Sequence, residues 1–293
     1  MKTPMTFIRF VALVAMLAAA RVVDAVDVHV PGPYVPIQQA NYQGMWWGGP
    51  SQNGWGVFLA RQGDTLFATW YTYDLDGSGL WLSSDAHYDG ESFVGQLYQS
   101  TGAPFFAYDA SQFFALPVGT ARFSFSDDNN GTFTYTLNGT TQSKAITPYV
   151  FGKTRGTCIE DVVPEGGIQT YDDLWWGAPA GSGNGWGVSI SDQEDKIFAV
   201  WFTYGADGES AWMVMSEGLK VAEGTYRGEI HRATGAPLSA YDASRFSPTL
   251  VGTGTFTFTD GDNGTFTYSV DGVTQSKAIT RFVFSSPRTT CAY

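Results

Sequence analysis

The chain has 293 residues, a formal charge of −12, and a composition that is 16% aromatic but only 15% charged. That balance argues against a nucleic-acid partner, because neutralising phosphates takes a basic stripe and no Lys/Arg cluster occurs anywhere. The length admits one large or two ordinary domains, and 35 glycines among many aromatics suit strands joined by tight turns.

Residues 1–25 read as a secretory signal. Lys2 and Arg9 flank a polar start, Phe10 to Ala20 is apolar, and Val23-Asp24-Ala25 fits a small-residue cleavage site. The apolar run falls short of the roughly twenty residues that a spanning helix needs; the alternative is an uncleaved anchor. No later segment is apolar enough to serve as a transmembrane helix. The mature protein is therefore expected to be secreted or periplasmic. Residues 26–41, with Pro31, Pro33 and Pro36, read as an extended tether, and His29 lies within it.

Two copies of one unit follow, residues 42–158 and 171–293, around a linker at 159–170 that holds Pro164 and Gly166-Gly167. Trp46-Trp47-Gly48 is answered by Trp175-Trp176-Gly177, and Thr101-Gly102-Ala103-Pro104 by Thr234-Gly235-Ala236-Pro237. The string TQSKAIT, residues 141–147, returns unchanged at 274–280. The period is too long for a solenoid, so each copy reads as a domain. Within the first copy, period-two patterning predicts strands at 54–60, 65–73, 80–85, 93–99, 120–126, 132–137 and 140–151, with a long connection at 101–114. The Asn138-Gly139 pair suits a type I′ hairpin. No stretch has a helical period. The expected fold is all-β: two tandem antiparallel β domains, each a small up-and-down barrel or a sandwich.

The two cysteines, Cys158 and Cys291, occupy the same place in their copies. In an oxidising compartment this favours one disulfide between the copies; free or intermolecular cysteines are the alternative.

The string Trp-Trp-Gly, Asn-Gly-Trp-Gly, Phe-Ala-x-Trp-x-Thr-Tyr, Thr-Gly-Ala-Pro, Asn-Gly-Thr-Phe, Gln-Ser-Lys-x-Ile covers nearly all of the mature chain twice. It resembles a tandem β-repeat of secreted bacterial proteins, a resemblance that implies no substrate or mechanism. A second likeness is to lipocalin and avidin-like barrels, which open on a Gly-x-Trp strand and close with a basic residue over that Trp. It implies that Arg155 would cover Trp55, and Arg288 would cover Trp186.

Candidate chemistry is sparse. His29, His87 and His231 do not align between copies, and no hydrolase or phosphate-binding motif occurs. Asp109 and Asp242, in Tyr-Asp-Ala-Ser, are the least explained acids. They are expected to form salt bridges with Lys144 and Lys277; an isopeptide crosslink or a catalytic acid are the sharper alternatives. The Asp-rich runs 127–131 and 260–264 read as hairpin turns rather than calcium loops. No metal site or cofactor is expected.

The aromatics remain. Trp46, Trp47, Trp55, Tyr73 and Trp81, with Asn53, are answered by Trp175, Trp176, Trp186, Tyr204 and Trp212, with Asn184. They either fill two cores or line a surface for a saccharide or small apolar ligand. Because neighbours on a strand face opposite ways, one ring of each Trp-Trp pair is expected to be exposed. The expected function is non-catalytic binding or surface interaction. The alternatives are a hydrolase using carboxylate chemistry and a purely structural envelope module.

Overall fold

The computed structural model describes residues 42–160 and 169–293. The expected signal, the tether with His29, and residues 161–168 of the linker lie outside the described residues. Among the described residues no helix is long and apolar enough to cross a membrane.

Repeat 1 forms β1 (Gly44–Trp47), β2 (Gly56–Gln62), β3 (Thr65–Tyr73), β4 (Gly79–Tyr88), β5 (Phe93–Thr101), β6 (Phe114–Asp127), β7 (Asn130–Leu137) and β8 (Thr140–Pro148). Each strand pairs antiparallel with its sequence neighbours, and β1 also pairs with β8. The sheet is thus a closed barrel with no edge left open. A short strand β9 (Thr157–Glu160) follows.

Repeat 2 repeats the plan with β10 (Asp173–Gly177), β11 (Gly187–Asp192), β12 (Lys196–Tyr204), β13 (Ser210–Ala222), β14 (Thr225–Thr234), β15 (Ser247–Phe258), β16 (Asn263–Val270) and β17 (Val273–Arg281), closed by β10 against β17. The last strand, β18 (Thr289–Ala292), pairs with β9. This pairing puts Cys291 directly opposite Cys158, and the two are joined as a disulfide.

Alternation along the strands explains why the barrels close. On β7, Phe133 and Tyr135 are buried, while Thr132, Thr134 and Thr136 face outward; β16 does the same with Phe266 and Tyr268 against Thr265 and Thr267. A membrane barrel has the opposite polarity, apolar outside and polar within. The lumens are packed with side chains: Trp46, Trp70, Phe123, Phe133 and Tyr135 in the first, Trp175, Trp201, Phe256, Phe266 and Tyr268 in the second.

Two strands extend beyond the sequence pattern. The Trp-Trp segments make short closing strands, and β6 runs on from Phe114 through Pro117 by way of a bulge between Leu97 and Tyr98. Gly119 makes the bulge feasible: a Cβ there would stand 1.8 Å from the Thr136 carbonyl oxygen, and Gly252 is equally constrained against Ser269. The Asn138-Gly139 turn has the expected positive φ at both residues, 50° and 80°.

The barrels pack through a third core. Phe58, Tyr71, Tyr73 and Trp81 of repeat 1 meet Val200, Tyr204 and Trp212 of repeat 2. Contacts across this interface come in pairs, as an approximate two-fold axis requires. The Trp81 indole N–H donates to the Thr203 carbonyl (2.8 Å), and that of Trp212 donates to Thr72 (2.9 Å). The Gln62 amide bonds the backbone of Phe282, Phe284 and Ser285, and the Gln193 amide bonds that of Tyr149, Phe151 and Gly152.

The long connections also cross over. Phe105 of repeat 1 sits in the core of barrel 2, and Leu238 of repeat 2 sits in the core of barrel 1. The glycine of each Thr-Gly-Ala-Pro motif permits the crossing. A Cβ on Gly102 would meet the Tyr204 ring at 2.4 Å, and one on Gly235 the Tyr73 ring at 2.3 Å.

Candidate functional site

Most of the singled-out rings are core. Trp46 and Trp175 are fully buried, each indole N–H donating to a local carbonyl, that of Tyr42 or Tyr171. Trp55 and Trp186 are buried in the lumens, and Trp81, Trp212, Tyr73 and Tyr204 in the interface between barrels. Asn53 and Asn184 are exposed, but their carbonyls accept the hydroxyls of Tyr241 and Tyr108 from the crossing connections. The basic group over Trp186 is Lys277, 5.4 Å from the ring centroid, whereas Arg288 pairs with Asp262.

The expected ion pairs of Asp109 with Lys144 and of Asp242 with Lys277 do not form. Asp109 accepts the Ser111 backbone N–H at 2.9 Å and the Ser111 hydroxyl at 2.7 Å, and Asp242 holds Ser244 in the same way. Each carboxylate caps a short 3-10 turn, and these hydrogen bonds lower its pKa. The cause is the crossover: the Tyr-Asp-Ala-Ser segment of repeat 1 lies at the mouth of barrel 2. There Tyr108, not Asp109, meets Lys277, with the ammonium 4.9 Å from the ring centroid. Burial lowers the pKa of Lys277. Asp127 and Asp260 are likewise used by their own hairpins, accepting backbone and Asn side-chain N–H groups.

What remains accessible is a pair of aromatic ladders. Trp47 lies edge-on to Tyr149 at 4.9 Å; Tyr149 stacks near Phe151 at 5.5 Å; both reach Phe198 of the opposite barrel, at 5.1 and 5.9 Å. On the other side Trp176 lies edge-on to Phe282 at 4.6 Å, followed by Phe284 at 5.5 Å, and both reach Phe67. All eight rings are half-buried. Each ladder therefore combines a half-buried Trp with three half-buried rings that straddle the joint between barrels. The rings are tilted to one another, so each ladder offers edges and partial faces rather than one flat platform.

A second cluster was not apparent in the sequence. Asp192 is buried on β11; its carboxylate accepts the Tyr171 N–H (3.0 Å) and the Tyr293 hydroxyl (2.9 Å). Its own N–H donates to Asp172 (3.0 Å). Asp172 helps to line a polar cavity of about 10 Å³ beside the disulfide, room for a single water. Burial raises the pKa of Asp172 to about 7, with the Asp192 carboxylate adding to the effect, and burial raises that of Asp192 to about 6.

Repeat 1 places Gln43, Arg61 and Glu160 at the equivalent positions: Gln43 accepts the Arg61 N–H, and Arg61 pairs with Glu160 at 3.8 Å. Only repeat 2 concentrates carboxylates here. The folded state therefore holds protons that the unfolded chain releases above pH 4. The contribution is greatest near pH 4, falls as the pH rises toward 7, and is flat beyond. Asp172→Asn keeps the acceptor and removes the charge. It is expected to leave stability near pH 4 unchanged and to raise it at pH 8. Because Asp172 retains some exposure, the gain is taken as about 1–2 kcal/mol. Denaturant midpoints across that range check this, and a variant with an undiminished pH slope would count against it.

Comparison with protein-family models, with curated proteins and with solved structures finds no match.

Proposed function

We propose that this is a non-catalytic extracytoplasmic interaction module that meets its ligand on the outside of the barrel pair, along the two aromatic ladders. The observation behind this reading is that both lumens are packed, each receiving an apolar side chain from the other repeat, while Trp47 and Trp176 remain half-buried at the surface. Tilted aromatic edges and partial faces suit a saccharide or an extended apolar chain. Two ladders on one rigid body would add avidity for a repeating ligand. The inter-repeat disulfide fits an oxidising compartment. Asp109 and Asp242 do not favour carboxylate chemistry, since both are exposed and engaged as caps.

A second reading is favoured by one observation: each ladder runs from one barrel to the other, so the rings also join the two. On that reading the module is structural. The two part in a fluorescence titration with soluble polysaccharides and long-chain apolar probes. The binding reading expects a saturable shift that is lost in Trp47→Ala/Trp176→Ala while the unfolding midpoint moves by only about 1–2 kcal/mol. No shift with any probe, together with a larger stability loss, would leave the structural reading standing.

A further inference from the structure

A perfect two-fold interface repeats every contact. Here one layer does not. The Tyr71 hydroxyl is buried and bonds Thr69 on its own strand (2.8 Å) and Ser189 of the other barrel (2.8 Å). The symmetry-related positions carry Phe202, Val200 and Phe58, all apolar and in the same interface core. A polar trio on one side of the axis is thus answered by an apolar trio on the other. The placements differ as well: Tyr71 reaches across to Ser189, with Phe58 standing where Ser189 does, whereas the Phe202 ring lies over Gly187 of its own barrel.

A second mismatch lies nearby. The Met45 backbone N–H is buried and donates across the interface to the Ser191 hydroxyl at 3.0 Å. Its counterpart, the Leu174 N–H, instead donates to the neighbouring Asp173 carboxylate at 2.8 Å, and Ala60 stands in the place of Ser191. Repeat 1 has Gly44 in the place of Asp173, so it has no carboxylate to offer Met45. Repeat 1 needs a hydroxyl that only repeat 2 provides.

We infer that the inner faces of the two barrels are not interchangeable: each fits the face of the opposite repeat of its own chain and not a second face of its own kind. Two repeat 1 faces together would press Tyr71 against Phe58 and leave two buried Met45 N–H groups opposite Ala60. Two repeat 2 faces would leave Ser189 without the Tyr71 hydroxyl and Ser191 without the Met45 N–H. Overpacking and unsatisfied polar groups each destabilise a packed interface. Specificity of this kind comes from making the wrong pairing poor as well as the right one good.

Full-length variants test this. Ser189→Phe/Val200→Thr/Phe202→Tyr gives repeat 2 the trio of repeat 1, and Phe58→Ser/Thr69→Val/Tyr71→Phe does the reverse. Each is expected to lower the folding equilibrium constant at least tenfold, measured by urea unfolding with the disulfide intact. The chain carrying all six substitutions restores a matched pair with the sides reversed, and is expected to return to within about fivefold of the parent. Ser189→Phe alone, followed by Tyr71→Phe, gives the smaller version of the same cycle and recovers part of its loss. Like-on-like variants as stable as the parent would overturn the inference. So would a six-substitution chain no better than the sum of its halves, or a Tyr71→Phe change that deepens the loss caused by Ser189→Phe.

Discussion

Phe105→Ala is expected to destabilise the barrel to which Phe105 does not belong. Its ring lies 5.1 Å from that of Trp201 and 6.0 Å from that of Tyr268, in the core of barrel 2, although its backbone belongs to repeat 1. Removing a buried phenyl ring from a packed site costs about 3–5 kcal/mol, part lost transfer energy and part cavity. The local effect is the informative one. Hydrogen exchange should report lost protection in β12 and β16, with β3 and β7 affected less. Leu238→Ala should do the reverse, at about 2–4 kcal/mol, with β3 and β7 losing protection first. Loss confined to the mutated repeat would mean that the crossed connections are ornament rather than core.

Removing the disulfide has the next largest expected effect. Cys158 and Cys291 are 133 residues apart, and chain-entropy reasoning for a loop of that length gives about 4–5 kcal/mol. The fold should persist in Cys158→Ala/Cys291→Ala, because the reciprocal Trp81 and Trp212 hydrogen bonds and the interface core do not depend on the bond. Urea unfolding of this variant beside the oxidised parent, with near-ultraviolet dichroism to confirm native packing, checks both statements. Equal midpoints would show that the bond adds nothing; a collapsed near-ultraviolet signal would show that it holds the barrels together.

Much of the architecture is legible in the sequence, and the reason is physical. Period-two alternation directly reports which side chains enter a lumen, so Phe133, Tyr135 and their counterparts declare the strands. Asn-Gly and Asp-Gly pairs report φ, and they mark the hairpins. Duplicated cysteines at one position report a symmetric staple. The pairing partners of the crossed segments are another matter. Thr-Gly-Ala-Pro followed by an apolar residue is the same string whether that residue fills its own barrel or its neighbour's. Only the Tyr204 ring on Gly102, and Tyr73 on Gly235, reveal the choice. The expected Asp–Lys bridges are absent for the same reason: the acids travel with the crossing segment.

The ladders are only half legible in the sequence. At least one ring of each Trp-Trp pair is expected to be exposed; Trp46 and Trp175 are fully buried, and Trp47 and Trp176 are half-buried. Tyr149, Phe151, Phe282 and Phe284 read as the tail of a strand, whereas they leave the barrel and lie along its neighbour. The acidic cluster gave no signal because matching the copies hides what differs between them. Asp172, Asp192 and Tyr293 stand where Gln43, Arg61 and Glu160 do, so none of the six is common to the two copies.

The exchange of Phe105 and Leu238 also constrains how the molecule comes into being. A chain synthesised from its N-terminus presents all of β1 to β8 long before Leu238 exists, yet barrel 1 lacks part of its core until then. The first half must therefore wait, incompletely packed, for the second, and neither can be finished while the other is missing. Two tandem barrels look like two folding units, but the crossed side chains make maturation a single event, timed by the last repeat to emerge.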